Sequence, residues 1–229
     1  MAGTSQDVVF WDIRNLKVPM AVLEESHGDD VTAVRFCPSN HHKVISCGAD
    51  QLVNTFDFEG KSSMSEEDGG LENTYASEQP LLDCGFLGAD KFFALTSVNT
   101  VEICNMEDSN LFTSIGKFPH QVDYIISTQV LHHPNKGDIL LIHCGNNLGE
   151  VFIYQVDHNR RQLVDPETGM VKENNIELVN MITTVPQAAQ NPEGDAEAQQ
   201  EPAEPLVIRT CMLLPGDERV LCTNEINKL

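Results

Sequence analysis

The residues in this 229-residue chain that could carry metal or nucleophile chemistry are its eight histidines and seven cysteines. The doublets His41-His42 and His132-His133 suggest a chelate. Each follows an alternating apolar run and lies beside Asn, Lys or Pro, which reads as an exposed turn, and neighbours on a strand point to opposite faces. No metal site is expected from them. His143-Cys144 could be drawn as a nucleophile and its base, but within a strand the same alternation separates the two side chains. Nucleophile-elbow (G-x-S-x-G), phosphate-loop and H-E-x-x-H patterns do not occur. The cysteines (Cys37, Cys47, Cys84, Cys104, Cys144, Cys211, Cys222) form an odd set with no Cys-x-x-Cys pair, mostly in apolar runs such as VISCGAD and LLIHCGNN. They read as reduced core residues of an intracellular protein, cytoplasmic or nuclear. The chain is expected to be no enzyme and to need no cofactor.

Charge narrows the partners. Thirty-five acids against 14 Lys and Arg give a net charge of -21, which repels phosphate backbones and anionic membrane surfaces, so direct nucleic-acid binding and membrane binding are not expected. No apolar run reaches the roughly 18 residues that span a bilayer, and residues 1–20 lack a basic start followed by an apolar block. A soluble, unsecreted protein is the expectation.

The elements that must position these residues follow from a repeat. The runs DVVFWD, LVNTFD, TVEICN and EVFIYQ place Trp11, Phe56, Cys104 and Tyr154 in one column, 45, 48 and 50 residues apart. An alternating segment precedes each later copy (VTAVRFCPSN, PLLDCGFLGAD, ISTQVLHHPN), then a more continuous apolar one (KVISCGAD, KFFALTSV, DILLIHCGNN). More polar runs close the units: VPMAVLEE, LFTSIGKF and, after an insertion, IELVNMITT. Four short strands in about 45 residues are what a β-propeller blade needs. The chain is therefore expected to be all-β.

The unit SHGDDVTAVRFCPSNHHKVISCGADQLVNTFD resembles the WD repeat, with His27 before the first strand, Ser46 on the second and Asp50 in the turn after it. The resemblance implies that His27, Ser46 and Asp50 form a buried hydrogen-bonded network bracing the blade. The family's strand-three Trp is here Phe56, which has no indole N–H to donate, so the network is one donor short. A ligand role for His27 is the alternative, and its spacing from Ser46 and Asp50 favours the brace. The other units depart further, with Asn147 and Val98 where the turn Asp is expected.

The order of these runs resembles a seven-bladed member of the family, and the residues fill only part of it. The reading is an incomplete WD-repeat propeller: a partial blade at 1–26, blades at 27–80, 81–119 and 120–184, an acidic insert at 185–204 and a partial blade at 205–229. An incomplete sequence is one explanation, and a short form whose open edges pair with another chain is the other.

Two segments break the period. EGKSSMSEEDGGLENTYASEQ (59–79) and TTVPQAAQNPEGDAEAQQEPAEP (183–205) are rich in Gly, Ser, Gln, Pro and acid, and read as disordered loops. The second holds five acids and no base between Pro192 and Pro205, either a solvated loop or a docking strip for a basic partner such as a histone or ribosomal protein. The fold as a whole implies a scaffold that binds other proteins. Trp11-Asp12-x-Arg14 adds an alternative. It resembles the element that propeller-type substrate receptors present to the adaptor of cullin-4 ubiquitin ligases, where the Arg makes a charge-assisted contact. Trp-Asp also ends the third strand of ordinary repeats, which leaves Arg14 as the residue in question.

Overall fold

The computed structural model describes residues 2–61, 64, 70–133, 137–173, 175–183, 208–213 and 220–224. Among them every helix or strand segment is a strand. In chain order these are β1 (Ala2–Gly3), β2 (Val8–Phe10), β3 (Ala21–Leu23), β4 (Val31–Phe36), β5 (Lys43–Gly48), β6 (Leu52–Asp57), β7 (Leu71–Ala76), β8 (Leu81–Leu87), β9 (Lys91–Thr96) and β10 (Val101–Asn105). There follow β11 (Leu111–Ile115), β12 (Tyr124–His133), β13 (Gly137–Gly145), β14 (Glu150–Val156), β15 (Leu163–Val164), β16 (Val171–Glu173), β17 (Ile176–Thr183), β18 (Ile208–Leu213) and β19 (Val220–Asn224). Three four-stranded sheets repeat along the chain, β4-β5-β6-β7, β8-β9-β10-β11 and β12-β13-β14-β17, preceded by β1-β2-β3 and followed by the pair β18-β19. Consecutive strands pair antiparallel, as short turns between them require.

The strands divide into two compact units. The first comprises Met1–Lys117 with His132–Asp138 and His158–Asn174; the second comprises Phe118–Leu131, Ile139–Asp157 and Asn175–Leu229. In the first unit, strand alternation sends side chains to two separate cores. One face of β5 and β6 contributes Val44 and Phe56, which join Val8, Phe10, Leu23 and Phe58. The other contributes Ile45, Cys47 and Val53, which pack with Leu81, Cys84, Phe86, Phe92 and Cys104 of the next sheet. A central strand buried on both sides has to be apolar almost throughout, and β9 is buried at all six positions. In the second unit Leu141, Val151 and Ile153 form a core joined by Ile126, Leu131, Ile139 and Ile182.

The column read from the repeat has a backbone signature. Phe56, Cys104 and Tyr154 are all fully buried, and each follows a register shift in its strand, at Thr55/Phe56, Ile103/Cys104 and Ile153/Tyr154. A bulge adds local twist and re-aims the side chain that follows it. Trp11 differs: β2 ends at Phe10, and Trp11 lies beyond it, half-buried. Phe10 carries the core contacts instead, 6.2 Å from the Phe36 ring and 6.0 Å from that of Phe58.

The loop expected over 59–79 is corrected by β7. Leu71–Ala76 is the outer strand of its sheet, held by Thr74 Oγ1 donating to Asn54 Oδ1 (2.8 Å), Lys43 Nζ paired with Glu72 (2.9 Å) and the Tyr75 ring against Phe92 (5.9 Å). An edge strand faces water along most of its length and so carries polar residues, which is why LENTYA passes for a loop by composition. Residues 62, 63 and 65–69, and the acidic insert 185–204, lie outside the described residues.

The insertion between β14 and β17 contains the hairpin β15-β16, and it belongs to the first unit. There the Gln162 backbone N–H donates to Thr113 Oγ1 and its Nε2 to the Lys117 carbonyl, both at 3.0 Å, while the Arg161 guanidinium lies 4.9 Å from the Phe112 ring centre. This segment covers the outer strand β11.

Candidate functional site

The turn between β5 and β6 draws together three of the four residues singled out for the blade. His27 is brought in by the loop before β4, Ser46 stands on β5, and Asp50 follows it in the turn. His27 Nε2 and Ser46 Oγ are 2.8 Å apart, and His27 Nδ1 lies 3.0 and 3.1 Å from the two Asp50 oxygens. A carboxylate only accepts, so Nδ1 carries the proton directed at Asp50, and Nε2 faces the Ser46 hydroxyl. The Gly28 N–H donates to Asp50 Oδ2 (2.8 Å) and the Leu52 N–H to Oδ1 (3.1 Å). His27 is 3% exposed and Ser46 0%.

Phe56 is not in this hydrogen-bonded chain; it stands in the apolar core, stacked on Phe58 at 6.1 Å with ring planes 4° apart. A polar connection that the sequence reading missed runs from the neighbouring Asn54. Its Nδ2 donates to the Ser26 carbonyl (2.6 Å) and its Oδ1 accepts from Thr74. Loop, β6 and β7 are thereby tied two residues ahead of Phe56. Gly48 was missed too. A Cβ there would lie 2.8 Å from Asp50 Oδ1 and 3.0 Å from His27 Nδ1, so only glycine leaves room for the pair.

The blade in the second unit solves the same turn differently. Asp123, ahead of β12, accepts the Asn147 N–H at 2.7 Å, which replaces the turn Asp that Asn147 displaces. His143 on β13 is fully buried, with Nδ1 3.0 Å from Ser127 Oγ. Among the described residues His143 Nε2 has no hydrogen-bond partner. Gly145 abuts the Tyr124 ring, whose atoms would stand 2.6 Å from a Cβ.

Burial lowers His143 to about 4, from an ordinary 6.5. A base with a depressed folded pKa refuses protons that the unfolded chain takes up. The stability it contributes is therefore present above about pH 6.5 and is lost as pH falls toward 4, by up to about 3 kcal/mol. Urea unfolding at pH 7 and pH 4.5 should show His143→Gln losing part of the acid sensitivity of the parent. An identical pH dependence in the two proteins would refute the buried neutral ring.

The remaining candidates are less reactive than their residue types suggest. Burial pushes the Cys104 thiol up to about 12, and raises Cys84 and Cys144 as well. Cys144 alternates with His143 along β13, so the two side chains leave opposite faces. His41 and His42 are exposed, and the side chains of His132 and His133 lie outside the described residues. Among the described residues no group of three or more His, Cys, Asp or Glu is placed to hold a metal ion, and no helix is long and apolar enough to cross a membrane.

Trp11-Asp12-x-Arg14 lies where β2 runs into an exposed loop. The Arg14 N–H donates to Asp12 Oδ1 (2.9 Å), its Nε to the same oxygen (2.9 Å) and its Nη2 to Oδ2 (2.6 Å). That fork holds the Asp12 carboxyl below its ordinary value, yet the Arg14 side chain stays 86% exposed.

Four-stranded antiparallel sheets repeating along the chain, with a His-Ser-Asp turn in one of them, resemble the blades of a WD-repeat β-propeller. In sequence the chain is similar to WD repeat-containing proteins. The chain is 29% identical over 195 residues to the WD repeat-containing protein GTS1 of Arabidopsis thaliana, covering 80% of this chain and 48% of that protein. It is 23% identical over 168 residues to the WD repeat-containing protein 89 homolog of Dictyostelium discoideum, covering 68% of this chain and 45% of that one. Among solved structures, the WD40 β-propeller domain of Doa1 superposes with a TM-score of 0.48 at 11% identity, over 80% of this chain and 49% of that chain. No family model matches. The chain spans about half the length of these two curated relatives.

Proposed function

We propose that the chain is a non-enzymatic interaction scaffold that works inside the cell. The observation that carries this reading is the use made of its buried polar groups. His27, Ser46 and Asp50 satisfy one another inside a blade, where their role is to brace the turn, and burial holds the thiols of Cys84, Cys104 and Cys144 protonated. What this leaves for partners is the loops. The reading is tested by replacing residues 12–20 with a Gly/Ser linker and comparing the proteins co-purified from cells with those of the parent. A variant that keeps its melting temperature but loses specific partners supports the scaffold. Catalytic turnover by the purified parent would overturn it.

A second reading, docking to the adaptor of a cullin-4 ubiquitin ligase through Trp11, Asp12 and Arg14, is favoured by one observation: Arg14 is presented at the surface in a conformation fixed by Asp12. Calorimetric titration with purified adaptor should show Arg14→Ala weakening binding about tenfold or more, as expected when a charge-assisted contact is removed. Equal affinity of parent and variant would rule this reading out.

A further inference from the structure

The loop that follows Trp11 exposes Ile13 (89%), Leu16 (67%), Val18 (65%) and Met20 (59%) within eight residues of one another. Single exposed aliphatic residues need no explanation, but four of them in one eight-residue loop make it a candidate contact surface. Its charge is also opposite in sign to the net charge of the chain. The stretch WDIRNLKVPM holds Arg14 and Lys17 against Asp12 alone, in a protein of net charge -21. The one acid is already engaged by Arg14, while Lys17 forms no ion pair among the described residues. The Asp12–Arg14 fork and the Asn15 N–H donating to the Asp12 carbonyl (2.8 Å) fix the turn from which these side chains project, so little loop ordering remains to be done on binding.

We infer that this loop binds through Ile13, Leu16 and Val18 entering an apolar groove on a partner protein, with Lys17 facing carboxylates at the groove's rim. Charge complementarity selects that partner. The chain as a whole attracts basic surfaces, whereas an apolar surface with an acidic rim fits this loop. Arg14, already neutralised by Asp12, orients the loop and adds a contact, while the aliphatic side chains supply most of the binding strength. The inference rests on the docking reading above and names what the adaptor must present.

The test is a titration of purified cullin-4 adaptor against the parent chain, Ile13→Ser/Leu16→Ser, Lys17→Glu and Arg14→Ala, with melting temperatures confirming that all four stay folded. The double variant should lose at least tenfold in affinity, and Lys17→Glu about threefold with a weaker salt dependence. Binding lost in Arg14→Ala but unchanged in the double variant would overturn the inference and leave the docking reading standing. Binding lost in the double variant but unchanged in Arg14→Ala would do the reverse, and no binding by the parent would overturn both. Capture of the parent by phosphatidylcholine/phosphatidylserine vesicles, lost in the double variant, would also overturn it by assigning the loop to a lipid surface.

Discussion

Phe56→Ala should destabilise the chain by about 3–5 kcal/mol, as measured by urea unfolding of parent and variant. Phe56 is fully buried, stacked on Phe58 and packed among Val8, Phe10, Leu23 and Val44. These neighbours come from two sheets, so truncation removes contacts on both sides, and backbone hydrogen bonding in β5 and β6 resists collapse into the cavity. The loss should be of similar size to that for a family blade with Trp at the position, because the ring area is buried whether or not an N–H is present. An unchanged unfolding midpoint would contradict the placement of Phe56 between sheets.

Asp50→Ala should cost about 3 kcal/mol or more for a different reason. The carboxylate accepts from His27 Nδ1, from the Gly28 N–H and from the Leu52 N–H, and the variant leaves these donors without their acceptor in a nearly closed site. Asp50→Asn keeps one acceptor oxygen but turns a donating amide group toward other donors, so a smaller loss is expected. Hydrogen exchange at Gly28 and Leu52 should accelerate in Asp50→Ala while amides of β13 and β14, in the other unit, keep their protection. Unaltered exchange at both turn amides would show that Asp50 does not hold them.

The meeting of His27, Ser46 and Asp50 was legible through the resemblance to the WD repeat, whose network those three residue types imply, and the structure places the three side chains within hydrogen-bond distance. The apolar column was readable because both faces of a central strand are dry. The features that escaped are polar and local. β7 is an edge strand, so LENTYA shows no apolar run; the hairpin β15-β16 has two- and three-residue strands and a turn of ordinary polar residues. Asn54 reads as a neutral strand residue until Ser26 and Thr74 are seen beside it. Glycines such as Gly48 and Gly145 look like turn residues, whereas the structure shows them making room for His27 and Asp50 in one blade and Tyr124 in the other.

The exposed loop shows how the two kinds of information combine. Trp11-Asp12-x-Arg14 drew notice as a motif, but a motif does not say which side chains are free. Arg14 is held by its own neighbour, and the unsatisfied surface belongs to Ile13, Leu16 and Val18, which no pattern singled out.

The claim on which the rest depends is that His27 is a structural brace satisfied on both ring nitrogens. Long-range ¹H–¹⁵N correlation of the His27 ring, recorded at neutral pH, tests it directly. A slowly exchanging proton on Nδ1, pointing to Asp50, with Nε2 unprotonated and accepting from Ser46, is the expected result. A rapidly exchanging ring with its proton on Nε2 would contradict the brace and return His27 to the set of residues open to a ligand.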